Sequence, residues 1–181
     1  YLKPNFFTTA NAELVTVQSS FTEDFANPNV ALQSDQWHVL RPDGTKDTFD
    51  KIQAFTQVTI LEADLKETGT YRLTTGERLG RAGQQVLVDG VWTPWAPGRE
   101  IPAGAQTRAS QTATVADVYV TKGAPTTKAV DARVGRVELK PVTHPNDVYL
   151  DTGFKLKVLF DGKPVPNQEV EIWRDGGAYD E

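Results

Sequence analysis

Short segments of alternating apolar and polar residues, each closed by Gly, Pro, Asn or Asp at intervals of roughly 8–12 residues, run through almost the whole chain, and such punctuation leaves room for strands but not for long helices. Residues 12–21 carry Val15, Val17 and Phe21 on one side of an alternation. Residues 37–41 are apolar-rich and end at Pro42-Asp43-Gly44-Thr45, where Pro presets φ and Gly supplies a positive φ. Residues 57–61 are β-branched and apolar, and residues 70–75 point Tyr71 and Leu73 inward between Gly69 and Gly76. Tyr71, just after Gly69-Thr70, has the placement of a tyrosine-corner strut whose hydroxyl bonds to backbone. Asp89-Gly90, flanked by residues 85–88 and 91–92, is a pair that type I′ hairpin turns favour. Further strands are expected at 112–121, 134–141 and 149–160. A 3.6-residue period appears only at 60–67, where the surrounding β segments favour a strand running into the turn at Thr68-Gly69.

The last strands set the domain plan. Residues 154–160 and 169–173 alternate apolar and charged side chains about a Gly/Pro turn at 161–167, the pattern of a half-buried hairpin. A lone two-stranded piece is marginal in water, so this one reads as the opening of a second β-unit. The expected fold is all-β. Residues 1–133 form an immunoglobulin-like β-sandwich of about seven to nine strands, and 134–181 begin a second, truncated β-sandwich of immunoglobulin or transthyretin type. Its open edges invite a strand-mediated dimer.

Composition narrows the function classes. The chain lacks Met and Cys entirely. Without Cys there is no disulfide, no Cys-based zinc site and no thiol nucleophile. Without Met, the start is read as processed, with a signal peptide removed. The net charge of −5 is spread over mixed acidic and basic residues, so no basic stripe for nucleic acid is visible. No apolar run reaches the roughly 18 residues of a membrane span.

Several motifs in order carry a resemblance. They are Tyr1-Leu2-Lys3-Pro4-Asn5, then Ser20-Phe21-Thr22-Glu23-Asp24-Phe25, then His38-Val39-Leu40-Arg41-Pro42-Asp43-Gly44. Glu67-Thr68-Gly69-Thr70-Tyr71-Arg72-Leu73, Leu139-Lys140-Pro141 and Leu159-Phe160-Asp161-Gly162-Lys163-Pro164-Val165 follow. Together they resemble a bacterial domain-of-unknown-function family often labelled as periplasmic components of ABC-type cobalt or nickel transport systems. The resemblance covers nearly the whole chain. It implies an exported, periplasmic or otherwise extracytoplasmic protein that works with membrane transporter components. It also implies Ni²⁺ or Co²⁺ as the metal and a His just before the segment matching Tyr1.

Within the chain the metal-ligating choices are few. His38 lies near Asp35 and Asp43, and imidazole with carboxylates suits Ni²⁺, Co²⁺ or Zn²⁺. His144, the other His, sits in a Pro-flanked turn. The bland reading of both is local hydrogen bonding. Glu23-Asp24 lacks the ligand spacing of a calcium loop. No Gly-x-Ser-x-Gly elbow, phosphate loop or dinucleotide fingerprint is present, which points away from an enzyme. Trp92 and Trp95, beside the Pro/Gly/Ala-rich stretch 94–104, offer the alternative of a carbohydrate-binding or adhesion module.

Overall fold

The computed structural model describes residues 1–23, 27–149 and 151–172. The strands begin with β1 (Leu2–Pro4), β2 (Thr8–Thr9), β3 (Leu14–Phe21), β4 (Val30–Ala31), β5 (His38–Leu40), β6 (Lys46–Asp47), β7 (Lys51–Ala54), β8 (Thr59–Asp64) and β9 (Gly69–Thr74). Next come β10 (Arg78–Leu79), β11 (Gly83–Val88), β12 (Val91–Trp95), β13 (Thr107–Ser110) and β14 (Ala113–Thr114). β15 (Asp117–Lys122), helix α1 (Lys128–Asp131), β16 (Val137–Pro141), a 3₁₀ turn at Pro145–Asp147, β17 (Leu156–Phe160) and β18 (Lys163–Pro164) complete them. Two compact units result: Tyr1–Glu77 with Val115–Glu181, and Arg78–Thr114.

The first unit holds a β-sandwich. One sheet runs β1-β3-β8-β7, with β4 added to β3, and the other runs β2-β15-β9-β5-β6. With β1, β3, β5, β6, β7, β8, β9 and β15 read as A, B, C, C′, D, E, F and G, these are the A-B-E-D and G-F-C-C′ orders of an immunoglobulin-like sandwich. Alternation then sorts the side chains. Val15, Val17, Leu61 and Ala63 of the first sheet meet Val39, Tyr71, Leu73, Val118 and Val120 of the second. Each full burial of such an aliphatic side chain contributes about 1.5–3 kcal/mol. The segment 60–67 is a strand followed by a turn, as its neighbours indicated.

Tyr71 closes the corner before β9. Its ring is 2% exposed, and its hydroxyl accepts from the Glu67 N–H at 2.7 Å and donates to the Glu67 carbonyl at 2.9 Å. Both hydroxyl roles are filled by one residue's backbone, which holds the turn from β8 to β9 as a tyrosine corner does.

The outer face of the second sheet is also covered. Register places His38, Thr74 and Asp117 in one row, Leu40, Arg72 and Tyr119 in the next, and Thr70 with Thr121 in a third. Helix α1, with Ala129 and Val130 buried, lies against β9 on this side. Beyond it β16, β17 and β18 form a third sheet that starts at Val137. The expected hairpin is corrected in its second arm. The chain turns at Asp161-Gly162, with φ of 49° and 75°, and pairs Lys163 back onto Phe160. A type I′ turn so close to β17 takes the pairing edge first. Glu169–Ile172 is therefore not a strand, and Trp173 lies outside the described residues.

The second unit is an insertion between the paired strands β9 and β15, the F–G connection of the sandwich. β10 pairs with β14, and β12-β11-β13 make a three-stranded ribbon turned at Asp89-Gly90. Both turn residues have positive φ, 50° and 80°, as the Asp-Gly pair predicts for type I′. The expected strand at 112–121 is split. Gln111 and Thr112 lie between β13 and β14, and the pairing with β9 begins only at Asp117.

Candidate functional site

His38 stands at the first position of β5 and is 7% exposed. Its Nδ1 lies 2.7 Å from the Gln36 carbonyl, so Nδ1 carries the proton and donates. Burial lowers its pKa, and the Gln36 hydrogen bond only partly opposes that. The folded protein thus binds this proton less readily than the unfolded chain. The stability His38 contributes is fully present above the ordinary His value of about 6.5 and is lost as pH falls below it toward the lowered folded value. The wild-type melting temperature is expected to fall more steeply from about pH 7 to about pH 5 than that of His38→Gln. Parallel profiles would show that His38 is not the responsible group.

The expected partners of His38 do not join it. Asp35 is exposed. Asp43 sits in the turn past the other end of β5, where its Oδ1 accepts from the Thr45 N–H at 2.9 Å and hydroxyl at 2.6 Å, bonds that hold its carboxyl below the usual range. His144 belongs to the opposite end of the second sheet. Its Nδ1 accepts from the Asn146 N–H at 3.1 Å, and its Nε2 lies 3.0 Å from the Thr126 carbonyl and 3.4 Å from the Thr70 hydroxyl. His38 pairs across to Thr74 while His144 reaches Thr70, so about 13 Å of strand separates them. As placed, the four side chains share no coordination sphere. No group of three or more His, Asp or Glu converges as a metal site among the described residues.

A buried ion pair escaped the sequence reading. Arg72 is 4% exposed, and its Nη2 donates to Asp117 Oδ2 at 2.6 Å while Nη1 donates to the Ala132 carbonyl at 2.6 Å. The guanidinium lies 5.6 Å from the centre of the Tyr119 ring. Burial pushes the Tyr119 hydroxyl up to about 12, with the Arg72 charge pulling against it. A signal existed: Arg72 alternates with Tyr71 and Leu73 in a strand flanked by Thr70 and Thr74. What was hidden is that this second face is covered too.

Trp92 and Trp95 lie on the inserted arm, three residues apart on β12, and so face opposite sides of the ribbon. Arg108 stacks on Trp92 at 4.3 Å and is held by a 2.7 Å bond from its Nε to Gln85 Oε1. Arg99 stacks on Trp95 at 4.1 Å, and the Trp95 indole N–H donates to the Arg99 carbonyl at 3.1 Å. The two rings therefore do not make one flat platform.

The sequence model described as "Domain of unknown function (DUF4198)" matches residues 1–181, the whole chain.

The chain belongs to the DUF4198 family.

No curated protein and no solved structure matches it. The description of the DUF4198 family names no activity. One groove of about 120 Å³ opens in the first unit beside Tyr71, lined by Arg41, Asp47, Asp50, Asp64 and Lys66 among others. Its charges are already engaged. Arg41 pairs with Asp47, Lys66 with Asp64 at 3.2 Å, and Asp50 Oδ2 accepts from the Asp64 N–H at 2.8 Å.

Proposed function

We propose that this DUF4198 chain is a non-catalytic accessory component of a nickel or cobalt uptake system, acting outside the cytoplasm by presenting surfaces to its transporter. The resemblance of its ordered motifs to proteins labelled as periplasmic components of such systems supplies the system. The observation that carries the mode of action is the use made of its His and Arg side chains. In the sandwich, His38 and His144 each engage a backbone carbonyl, and Arg72 engages Asp117. The inserted arm, by contrast, keeps exposed Arg side chains stacked on Trp. A partner is met by the groups left outward, and Trp with Arg is the pair most enriched where binding energy concentrates.

The reading is tested by nickel and cobalt accumulation in cells lacking the protein. Accumulation is expected to drop severalfold and to be restored by the wild type and also by Asp35→Asn and His38→Gln. Unchanged accumulation on deletion would overturn the uptake reading. Failure of Asp35→Asn and His38→Gln, exported at the normal level, would replace a docking role with direct metal ligation.

A further inference from the structure

The arm differs from the described part of the first unit in how it uses arginine. Residues 78–114 contain four Arg, no Lys and two carboxylates, a net +2 within a chain of −5. In the first unit, Arg41, Arg72, Arg133 and Arg136 are each ion-paired with a carboxylate. On the arm, Arg81, Arg99 and Arg108 are exposed and form no ion pair among the described residues. Two of them sit over indoles, Arg99 on Trp95 and Arg108 on Trp92, a cation–π contact that holds a guanidinium in place while its remaining N–H groups can meet a phosphate or carboxylate.

The arm's apolar residues point the same way. Val86 is its one buried residue, while Val88 and Val91, either side of the turn, are 40% and 65% exposed. Trp92 follows directly, Arg108 lies opposite Gln85 about 10 Å back from Val88, and Trp95 lies about 13 Å back from Val91. The Trp–Arg pairs occupy opposite faces, so a flat protein surface would engage one pair and leave the other in water. A layer that the ribbon enters tip-first surrounds both.

We propose that the arm docks tip-first on an anionic phospholipid surface. Val88 and Val91 pass through the headgroup layer, which places Trp92 within it and Trp95, about 10 Å further back along β12, at its outer margin, with Arg108 and Arg99 binding lipid phosphates. Asp89 at the apex opposes this, and its replacement by Asn keeps a residue that type I′ turns accept before Gly while removing the negative charge. The inference names what the arm's outward Trp and Arg groups meet, and so rests on the docking role in the uptake reading. Its test uses neither metal nor transporter, so each can fail alone.

The experiment is co-sedimentation of the whole chain with phosphatidylcholine vesicles, with and without about 30% phosphatidylglycerol, at roughly 50 mM and 500 mM NaCl. Binding is expected only to the anionic vesicles and is expected to be released by the higher salt. Arg99→Gln and Arg108→Gln should each weaken it about fivefold, and Asp89→Asn should tighten it by a similar factor. Absence of binding to anionic vesicles at low salt would overturn the proposal and is the result that an arm docking on an acidic protein would give. Equal binding to neutral vesicles, undiminished binding by the Arg99→Gln/Arg108→Gln double variant, or weaker binding by Asp89→Asn would overturn it as well.

Discussion

Replacing Arg72 by Met is expected to cost about 3–5 kcal/mol of folding stability, the range for breaking a buried ion pair from one side. The guanidinium is 4% exposed and bridges Asp117 on β15 to the Ala132 carbonyl just after α1. Met fills similar volume but leaves the Asp117 carboxylate without its counter-charge and the Ala132 carbonyl without its donor. The pair is not ideally satisfied even in the native protein, since Arg72 Nε and Asp117 Oδ1 have no hydrogen-bond partner among the described residues. Removing both partners should therefore cost far less than removing one. Arg72→Met/Asp117→Leu is expected to recover most of the single-variant loss, as replacing buried ion pairs with apolar residues often does. Urea unfolding midpoints of the wild type, both singles and the double decide it. A single-variant cost below about 1 kcal/mol would mean that water reaches the pair and screens it.

The second large effect belongs to Tyr71. Tyr71→Ala should cost about 3–5 kcal/mol, the range for truncating a buried aromatic. Tyr71→Phe separates the hydroxyl from the ring. It leaves the packing and removes the two bonds to Glu67, stranding that residue's N–H and carbonyl at the corner, for about 1–3 kcal/mol. If Phe proves neutral, water has replaced the hydroxyl and the corner is held by ring packing alone.

These two neighbours in one strand show where sequence is and is not readable. Tyr71 was legible because the inward side of an alternation, next to a Gly-Thr turn, leaves an aromatic few places to go. The all-β class and the Asp89-Gly90 hairpin were legible for the same local reason. The Arg72–Asp117 pair was not, because its members are 45 residues apart and meet only through strand register. Nor was the cover over that face, since α1 is four residues long and carries no helical period. β7 was missed because its polar–apolar alternation, Lys51-Ile52-Gln53-Ala54, is only four residues long and all four are exposed. At the chain's end, the alternation at 169–173 predicted a strand, yet Asp161-Gly162 takes β17's pairing edge first. Trp92 and Trp95 were singled out for their place beside the Pro/Gly-rich stretch. Their opposite facing follows from a spacing of three on a strand, which becomes decisive only once β12 is known to be continuous through Pro94.

The same contrast bears on the candidate site. Spacing in sequence gathered Asp35, His38 and Asp43, but a strand between two turns carries its ends apart, and local hydrogen bonds hold each end. The inserted arm was read as a tight hairpin and a Pro/Gly-rich stretch, with Trp92 and Trp95 as the alternative ligand-binding residues. That Arg81, Arg99 and Arg108 form no ion pair among the described residues is a matter of tertiary placement, which no local spacing announces.

The most direct test excises the arm. Thr75 and Ala116 already hydrogen-bond at 3.0 Å where the insertion leaves the sandwich, so Asn-Gly in place of residues 78–114 should close β9 onto β15. Nickel accumulation by cells carrying this shortened protein, exported and folded at the wild-type level, is expected to fall to that of cells lacking the protein. Wild-type accumulation with the arm gone would contradict a docking role for it and return the function to the sandwich.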